Sequence, residues 1–542
     1  MAKRFVSATP RPGQTTCRVS KKDAKARKTM SQAETQSSGS ADPDSNERLR
    51  TNSSWRLPLL LSGVSGGLIY LSFPPPDLSP FAFFALVPLL IAVVTAASWR
   101  RALVCGAIAG VLAYVPLLAW LSSVTVGGWI LLGGYVAAYL AAAGLLARSL
   151  RSRHPWLWPL LFAAVWTALE LIRARFATGF PYLLYGYSQH RFTSLIQLAS
   201  LGGVYSVSFV MVLFNASVAE LIVRFENGQP LRQGVGWAAA AALVVAGCAA
   251  AGGVVIRRLD LSDGLVVGVV QQNVPRIVEE LIMPPEVARA RATLEREDAQ
   301  LNPEGKAALE AMVDSYWKRR DEEIRAEIRR AAELSRTLAE HDLDLLVWPE
   351  TTAQVRLNVS ADMFTDPSAR ELRRFADRAL GELARELDCH LLIGAPSTFS
   401  RTAGFVQEAR YGLNVQHAAN SAVLLDRNGE YVDRYDKMHL VPFGEYVPLA
   451  NILPFLQVFT PMTRNLTPGR DPVVFTIEDH GGRPFRFAAP ICYEDVVPEL
   501  VRKFTRRGAD FLVNITDEGW YRYPGELRQH TAMAVFRAIE NR

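Results

Sequence analysis

The sequence predicts a multi-pass α-helical membrane domain followed by a layered α/β domain. One observation is an almost unbroken apolar block from about Leu57 to Val255, with very few acidic residues. Another is the alternation, after about Arg257, of short β-branched runs with charged amphipathic stretches. At 542 residues the chain exceeds one ordinary domain, and its 49% hydrophobic content averages these two unlike parts. The net charge of +6 resides largely in the N-terminal tail and the short loops, so we read it as membrane topology. No nucleic-acid partner is expected.

Residues 1–50 are rich in Ser, Lys, Arg, Asp and Gln without apolar periodicity, which predicts a disordered tail. No apolar h-region follows the early basic residues, so no signal peptide is visible. Residues 51–256 form the expected membrane domain, with about seven helices near Leu57–Phe73, Phe81–Ala97, Ala102–Leu121, Gly127–Ala147, Trp156–Leu171, Leu198–Val223 and Gly236–Val255. Successive prolines at Phe73-Pro74-Pro75-Pro76 cannot continue a helix and end the first span. Arginines 100, 101, 148, 151, 153, 224 and 232 fall in alternate connections, whereas those near Asp77 and Ser122–Thr125 lack Lys and Arg. The positive-inside rule then puts the basic tail in the cytoplasm and everything after Val255 on the far side. The basic Arg173–Arg191 segment breaks the trend. Its Gly179-Phe180-Pro181-Tyr182 and Tyr185-Gly186-Tyr187 suggest either a re-entrant segment whose arginines meet lipid phosphates or a structural aromatic belt.

Residues 257–542 are the expected extracytoplasmic domain. Strands are predicted at Leu265–Gln272, Leu343–Trp348 and His390–Gly394, and a hairpin joins Asn420–Leu425 to Tyr431–Tyr435 through Asn428-Gly429. Further strands are expected at Phe485–Ile491 and Phe511–Ile515, with helices at Glu371–Leu387, Val497–Arg507 and Glu526–Glu540. The charged Glu279–Glu340 stretch, broken by prolines, predicts two or more surface helices.

The five cysteines, Cys17, Cys105, Cys248, Cys389 and Cys492, are spread over all three regions and form no disulfide framework. No cluster has metal-ligand spacing, so neither a metal nor another cofactor is expected. Cys389 precedes a buried-strand pattern and reads as core. Cys492 ends a strand and precedes a helix, an elbow where a thiol is exposed and the helix dipole favours the thiolate; Glu494 and Asp495 oppose that effect. Nucleophile and small buried residue are the two readings there. Glu350, directly after Leu345–Pro349, is either a desolvated general base or a turn glutamate stabilised by backbone N–H groups. Lys437, past the hairpin, is either a solvated strand-end lysine or an oxyanion stabiliser partnered by Glu445 or Glu350. His439 competes for the role of base. Carboxylate, ammonium and thiol are together what acyl transfer through a thioester requires.

Taken together, these stretches resemble the nitrilase superfamily, which uses a Glu-Lys-Cys triad on an αββα sandwich. Trp348-Pro349-Glu350, the long Tyr435–Pro448 stretch and Ile491–Glu494 resemble more closely the apolipoprotein N-acyltransferase family of bacterial envelopes. Phe73-Pro74-Pro75, Glu170–Arg173 and Gly186–Gln189 resemble that family's membrane motifs. The resemblance implies Glu350 as general base, Lys437 as oxyanion stabiliser and Cys492 as nucleophile. Glu445 would position Lys437, and Tyr493, Glu494 and Trp520 would support the site or shape the acyl pocket. It also implies a phospholipid acyl donor, phosphatidylethanolamine first among them, and a diacylglyceryl-cysteine apolipoprotein acceptor. The setting would be the bacterial inner membrane, with the catalytic domain on its periplasmic side. A membrane-tethered amidase or nitrile hydrolase would use the same triad, and an inactive membrane scaffold is the third reading. Thr516–Trp520 carries an acid pair where the family has Asn-Asp, and the Glu279–Glu340 stretch is longer than the family's. The resemblance implies that the family continues past the position of Arg542 with further strands and a last transmembrane helix, so either a fragment or a shortened, inactive homologue is expected.

Overall fold

The computed structural model describes residues 55–176, 179–259, 264–273, 284–294, 296, 302–364, 366–398, 418–447, 466–521 and 524–542. The tail expected to be disordered and the start of the Glu279–Glu340 stretch lie outside them.

Among these residues the first half is built from helices α1 (Arg56–Ser72), α2 (Val87–Val94), α3 (Trp99–Leu117), α4 (Val126–Arg153), α5 (Trp158–Arg175), α6 (Val204–Glu226) and α7 (Arg232–Arg257). Helices α3, α4, α6 and α7 are the 4 long and apolar enough to cross a membrane, while α1 and the stretch containing α2 are shorter apolar helices. Side-chain caps start two of them: the Ser98 hydroxyl accepts from Arg101 N–H and the Thr125 hydroxyl from Gly128 N–H. The expected Leu198–Val223 helix is split, because Gly203 takes φ +66° and the continuous helix begins only at Val204. Helix α7 buries little more than Gly234, Ala241 and Gly252, leaving an apolar flank for lipid.

The segment between α5 and α6 folds inward. Tyr182–Gln189 is buried, and Arg173, 3% exposed, donates to the carbonyls of Tyr182 and Leu183 at 3.0 and 3.1 Å. Glu170 Oε1 accepts from Tyr185 N–H at 2.6 Å. For the buried Arg173 the expectation of a contact with lipid phosphates is therefore corrected, whereas Arg175 and Arg191 keep 55% and 67% of their side chains exposed. Arg173 is spent on backbone carbonyls, Arg191 pairs with Asp77, and Arg175 pairs with Glu499.

The second half contains β1 (Val267–Val269), α8 (Pro285–Leu294), α9 (Pro303–Arg336), β2 (Leu345–Val347), α10 (Pro367–Leu387), β3 (His390–Thr398), β4 (Ala418–Leu425) and β5 (Tyr431–Asp436). It continues with β6 (Phe475–Glu478), β7 (Pro484–Ala488), α11 (Pro498–Arg506), β8 (Phe511–Leu512) and α12 (Pro524–Glu540). Strands β1 to β5 form one sheet in chain order, parallel through β3 and antiparallel thereafter. Strands β6, β7 and β8 form a second sheet. Period-two alternation sends the two faces of the first sheet to different cores. Leu346, Leu391, Ile393 and Val423 pack on Ile328 of α9 and on Leu380 and Leu383 of α10. Leu345, Val347, Leu392 and Leu424 meet Phe475, Ile477 and Phe487 of the second sheet, together with Leu500 and Phe504 of α11. This is the αββα layering that the sequence resemblance implies.

Candidate active site

Three chain segments deliver the functional groups, and each delivery has a local cause. Strand β2 ends at Val347, and Glu350 follows two residues after the buried Trp348, whose indole N–H is held by the Ser335 hydroxyl at 3.0 Å. Gly394 in β3 lets this exit pass close by. A Cβ there would stand 2.3 Å from Pro349 O and 2.6 Å from Glu350 Cα. Beyond Glu350, the buried Arg373 of α10 donates to the carbonyls of Arg356, Leu357 and Val359 at 2.9–3.0 Å, which fixes the following loop.

Lys437 leaves β5 and is 1% exposed. Its ammonium lies 3.3 Å from Glu350 Oε1 and 3.0 Å from Glu445 Oε1. Burial alone would depress its pKa, but the two carboxylates outweigh it and hold the lysine well above its ordinary value. Glu350 is pushed above the usual carboxylate range by burial, against the pull of Lys437 and with some help from Glu445. Asn420 was missed in the sequence. Its Nδ2 donates to Glu350 Oε1 at 2.6 Å and to Glu445 Oε1 at 3.0 Å. An amide side chain in a buried, mostly apolar strand was the available signal. Glu350 Oε2 accepts from Asp517 N–H at 3.0 Å, and Glu445 Oε2 from Val441 N–H at 2.9 Å.

Cys492 follows a parallel bridge between Ile491 and Ile515, takes φ +53°, and opens the short 3₁₀ turn Cys492–Val496. Burial raises its pKa well above the ordinary thiol value; Glu350 and Glu518 add to this, and Lys437 opposes it. The expected dipole-favoured thiolate is thus corrected. A turn of 5 residues carries little dipole, and the desolvated thiol stays protonated at rest. A base that takes its proton only during reaction is what this arrangement calls for.

Glu494 is fully buried. One oxygen accepts from Tyr435 O–H at 2.7 Å, Met438 N–H at 2.7 Å and His439 N–H at 2.9 Å, and the other from Ile491 N–H at 2.8 Å. It ties the Lys437 segment to the Cys492 elbow. Burial moves its pKa up to about 7 against those donors. The His439 ring stacks on Tyr493 at 5.9 Å between centroids, and burial lowers its pKa. Tyr493 and Tyr521 pack against the core of the membrane helices, so the site abuts that layer. Trp520 has its backbone in a 3₁₀ turn, but its side chain lies outside the described residues. Cys389 is fully buried in the core, where burial pushes its pKa up to about 12.

Among the described residues, Glu518, Glu526 and His530 alone group enough ligand-type atoms for a metal, all within 4.8 Å. The Nδ1–Oε1 separation of His530 and Glu518 is 2.6 Å, whereas two ligands of one tetrahedral ion would stand roughly 3.4 Å apart. Both imidazole nitrogens are already engaged, with Glu518 and with Asp495. The cluster is an ion-paired network.

A helical membrane half joined to an αββα domain, with a buried carboxylate and ammonium and a half-buried thiol, defines a membrane-anchored protein of the carbon–nitrogen hydrolase class. Residues 306–542 match the carbon-nitrogen hydrolase domain, and residues 65–217 match the apolipoprotein N-acyltransferase N-terminal domain. The apolipoprotein N-acyltransferase of Geobacter metallireducens is 31% identical over 497 residues, spanning 89% of this chain and 82% of the relative. That of Azotobacter vinelandii is 30% identical over 515 residues, spanning 89% and 81%. Among solved structures, an amidase from Nesterenkonia sp. is 20% identical and covers 36% of this chain and 59% of its own, at a TM-score of 0.24. The chain belongs to the apolipoprotein N-acyltransferase family.

Proposed function

We propose that the protein transfers an acyl chain from a phospholipid, through a thioester on Cys492, to the N-terminal amine of a diacylglyceryl-cysteine apolipoprotein. The observation that carries this reading is the buried Lys437 ammonium, bridging Glu350 and Glu445 at 3.3 and 3.0 Å in the same electrostatic cluster as the Cys492 thiol. Glu350, its pKa raised by burial, takes the Sγ proton as sulfur attacks the ester carbonyl of the donor. Lys437 stabilises the oxyanion, and Glu350 returns the proton to the departing lysophospholipid alkoxide. The acceptor amine then attacks the thioester, gives a proton to Glu350, and the thiol is regenerated.

Glu445 and Asn420 hold Lys437 and Glu350 in register. Tyr493 and Tyr521, packed on the membrane-helix core, put the reaction at a lipid boundary where both substrates are anchored. That gain in effective concentration gives the membrane half its purpose. The catalytic domain sits on the periplasmic face of the inner membrane in this reading, and phosphatidylethanolamine is the donor. The test is mass spectrometry of the detergent-solubilised protein after incubation with phosphatidylethanolamine. A hydroxylamine-labile acyl adduct on Cys492 is expected, and none on C492A. A C492A protein that still transferred acyl chains would sink the mechanism.

A further inference from the structure

The acid pair Asp517-Glu518, which departs from the family pattern, has a partner 12 residues further on in α12. His530 is 5% exposed, with Nε2 at 2.6 Å from Asp495 Oδ1 and Nδ1 at 2.6 Å from Glu518 Oε1. Each of those carboxylates reaches one side of the Cys492 elbow. Asp495 belongs to the turn that Cys492 opens, and its Oδ2 accepts at 2.7 Å from Asn514 Nδ2, which also donates to Cys492 O at 3.3 Å. Glu518 Oε1 accepts at 2.9 Å from the hydroxyl of Thr516, whose neighbour Ile515 accepts from Cys492 N–H at 2.8 Å through its carbonyl. The same strand exit supplies the Asp517 N–H that holds Glu350 Oε2. We propose that His530 is a positioning residue that clamps the two chain segments flanking Cys492 and sets the thiol against Glu350.

The charges around the clamp agree with this. Burial would favour neutral imidazole, but Asp495 and Glu518 outweigh it and keep His530 protonated. Glu518 is held down at about 2, its burial overcome by Glu526 and His530. Glu526 is pushed up by burial and by Glu518. On its far side Glu526 accepts from the Tyr182 hydroxyl at 3.1 Å, and Arg537 of α12 is the other cation acting on Asp495's surroundings. The groups facing the thiol itself are Glu350, Lys437, Glu518 and the phenol of Tyr521.

The inference rests on Cys492 being the nucleophile, and the experiment separates the two. Alkylation of Cys492 by iodoacetamide is followed against pH in the full-length, detergent-solubilised protein, reading the Cys492 peptide by mass spectrometry, alongside acyl-transfer kinetics. In H530Q, Glu518 loses its countercharge beside the thiol, so the alkylation profile moves up by about one pH unit. The kcat falls about a hundredfold from misplacement of the sulfur, with the KM for phosphatidylethanolamine unchanged. In E518Q the anion that disfavours the thiolate is gone, so the profile moves down by about the same amount. Shifts of opposite sign are something a merely structural role would not produce. Should H530Q not accumulate as folded protein, D495N, which opens the clamp on the Cys492 side, takes its place, and a wild-type kcat there overturns the proposal. An unshifted or upward-shifted E518Q profile overturns the proposal. Transfer by C492A would instead overturn the nucleophile assignment and leave the alkylation result standing.

Discussion

At the scale of single residues, the site is a balance between desolvation and pairing. Lys437 is buried among two carboxylates, so removing its charge leaves Glu350 and Glu445 uncompensated. We expect K437M to cost about 3–5 kcal/mol in unfolding experiments, and K437M/E445Q to recover part of that without recovering transfer. Stability and activity would then separate, which a purely structural lysine would not allow. Asn420 acts on Glu350 more subtly. Its amide favours the charged form of Glu350, so deleting it raises the Glu350 pKa further. A hydrogen bond to a charged group is worth ~1.5–3 kcal/mol, and N420A should therefore move the acid limb of the transfer pH profile up by about one unit. A limb that stayed in place, or moved down, would mean that Glu350 is not the titrating base. Glu350, Lys437 and Cys492 stood out as candidates because each follows a strand-like run in the sequence, and only the resemblance gave them roles. Asn420 was not, because it lies 70 residues from Glu350 and only strand pairing brings it there.

At the scale of elements, the boundaries differed from expectation where tertiary contacts, rather than propensity, decide them. Strand β3 runs to Thr398, well past the predicted Gly394, because β4 pairs with it as far as Ala418. Strand β7 stops at Ala488, and the predicted Phe485–Ile491 run continues only as an isolated Ile491–Ile515 bridge. That early stop is what frees the Cys492 elbow from the sheet. The Asn428-Gly429 turn is longer than a two-residue hairpin. Asp426 Oδ1 accepts from both Asn428 and Glu430 N–H, and the ladder shifts register at Leu424/Leu425. Gly394 has an element-level role that its sequence context, an apolar strand, did not reveal. Any side chain there meets the backbone of the β2 exit, which cannot yield without moving Glu350. We expect G394A to destabilise the protein by about 1–3 kcal/mol and to lower kcat more than it raises KM, as read from unfolding and transfer kinetics on one preparation. A G394A enzyme with wild-type kcat would show that the exit of β2 can relax without cost to the base.

At the scale of the whole molecule, the contacts between the two halves bear on orientation. Gln529 of α12 donates to Pro74 O at 2.8 Å and Leu117 O at 3.0 Å, and accepts from the Trp120 indole N–H at 3.1 Å. These are the ends of α1 and α3, next to the connections near Asp77 and Ser122–Thr125 that lack basic residues. The basic connections gather at the opposite ends of the helices. There Arg151 and Arg224 pair with the fully buried Glu220, and Arg148 donates to Ala96 O. The Arg173–Arg191 segment, which breaks the charge alternation in the sequence, lies on the α12 side: Tyr182 meets Glu526, and Tyr187 meets Arg537. Arg191 and Arg175 pair with Asp77 and Glu499, and Arg173 donates to buried carbonyls. Sequence could report the number of charges in that segment but not their partners, which lie as far as 324 residues away. The other basic connections, read by the positive-inside rule, point to the same arrangement as the helix contacts. A single cysteine introduced at Ser123 should react with a membrane-impermeant maleimide in intact spheroplasts, in a background with the native cysteines replaced. One introduced at Arg153 should react only after the membrane is permeabilised. The reverse pattern would put α12 and the Glu350–Lys437–Cys492 cluster in the cytoplasm, and the periplasmic assignment would fall with it.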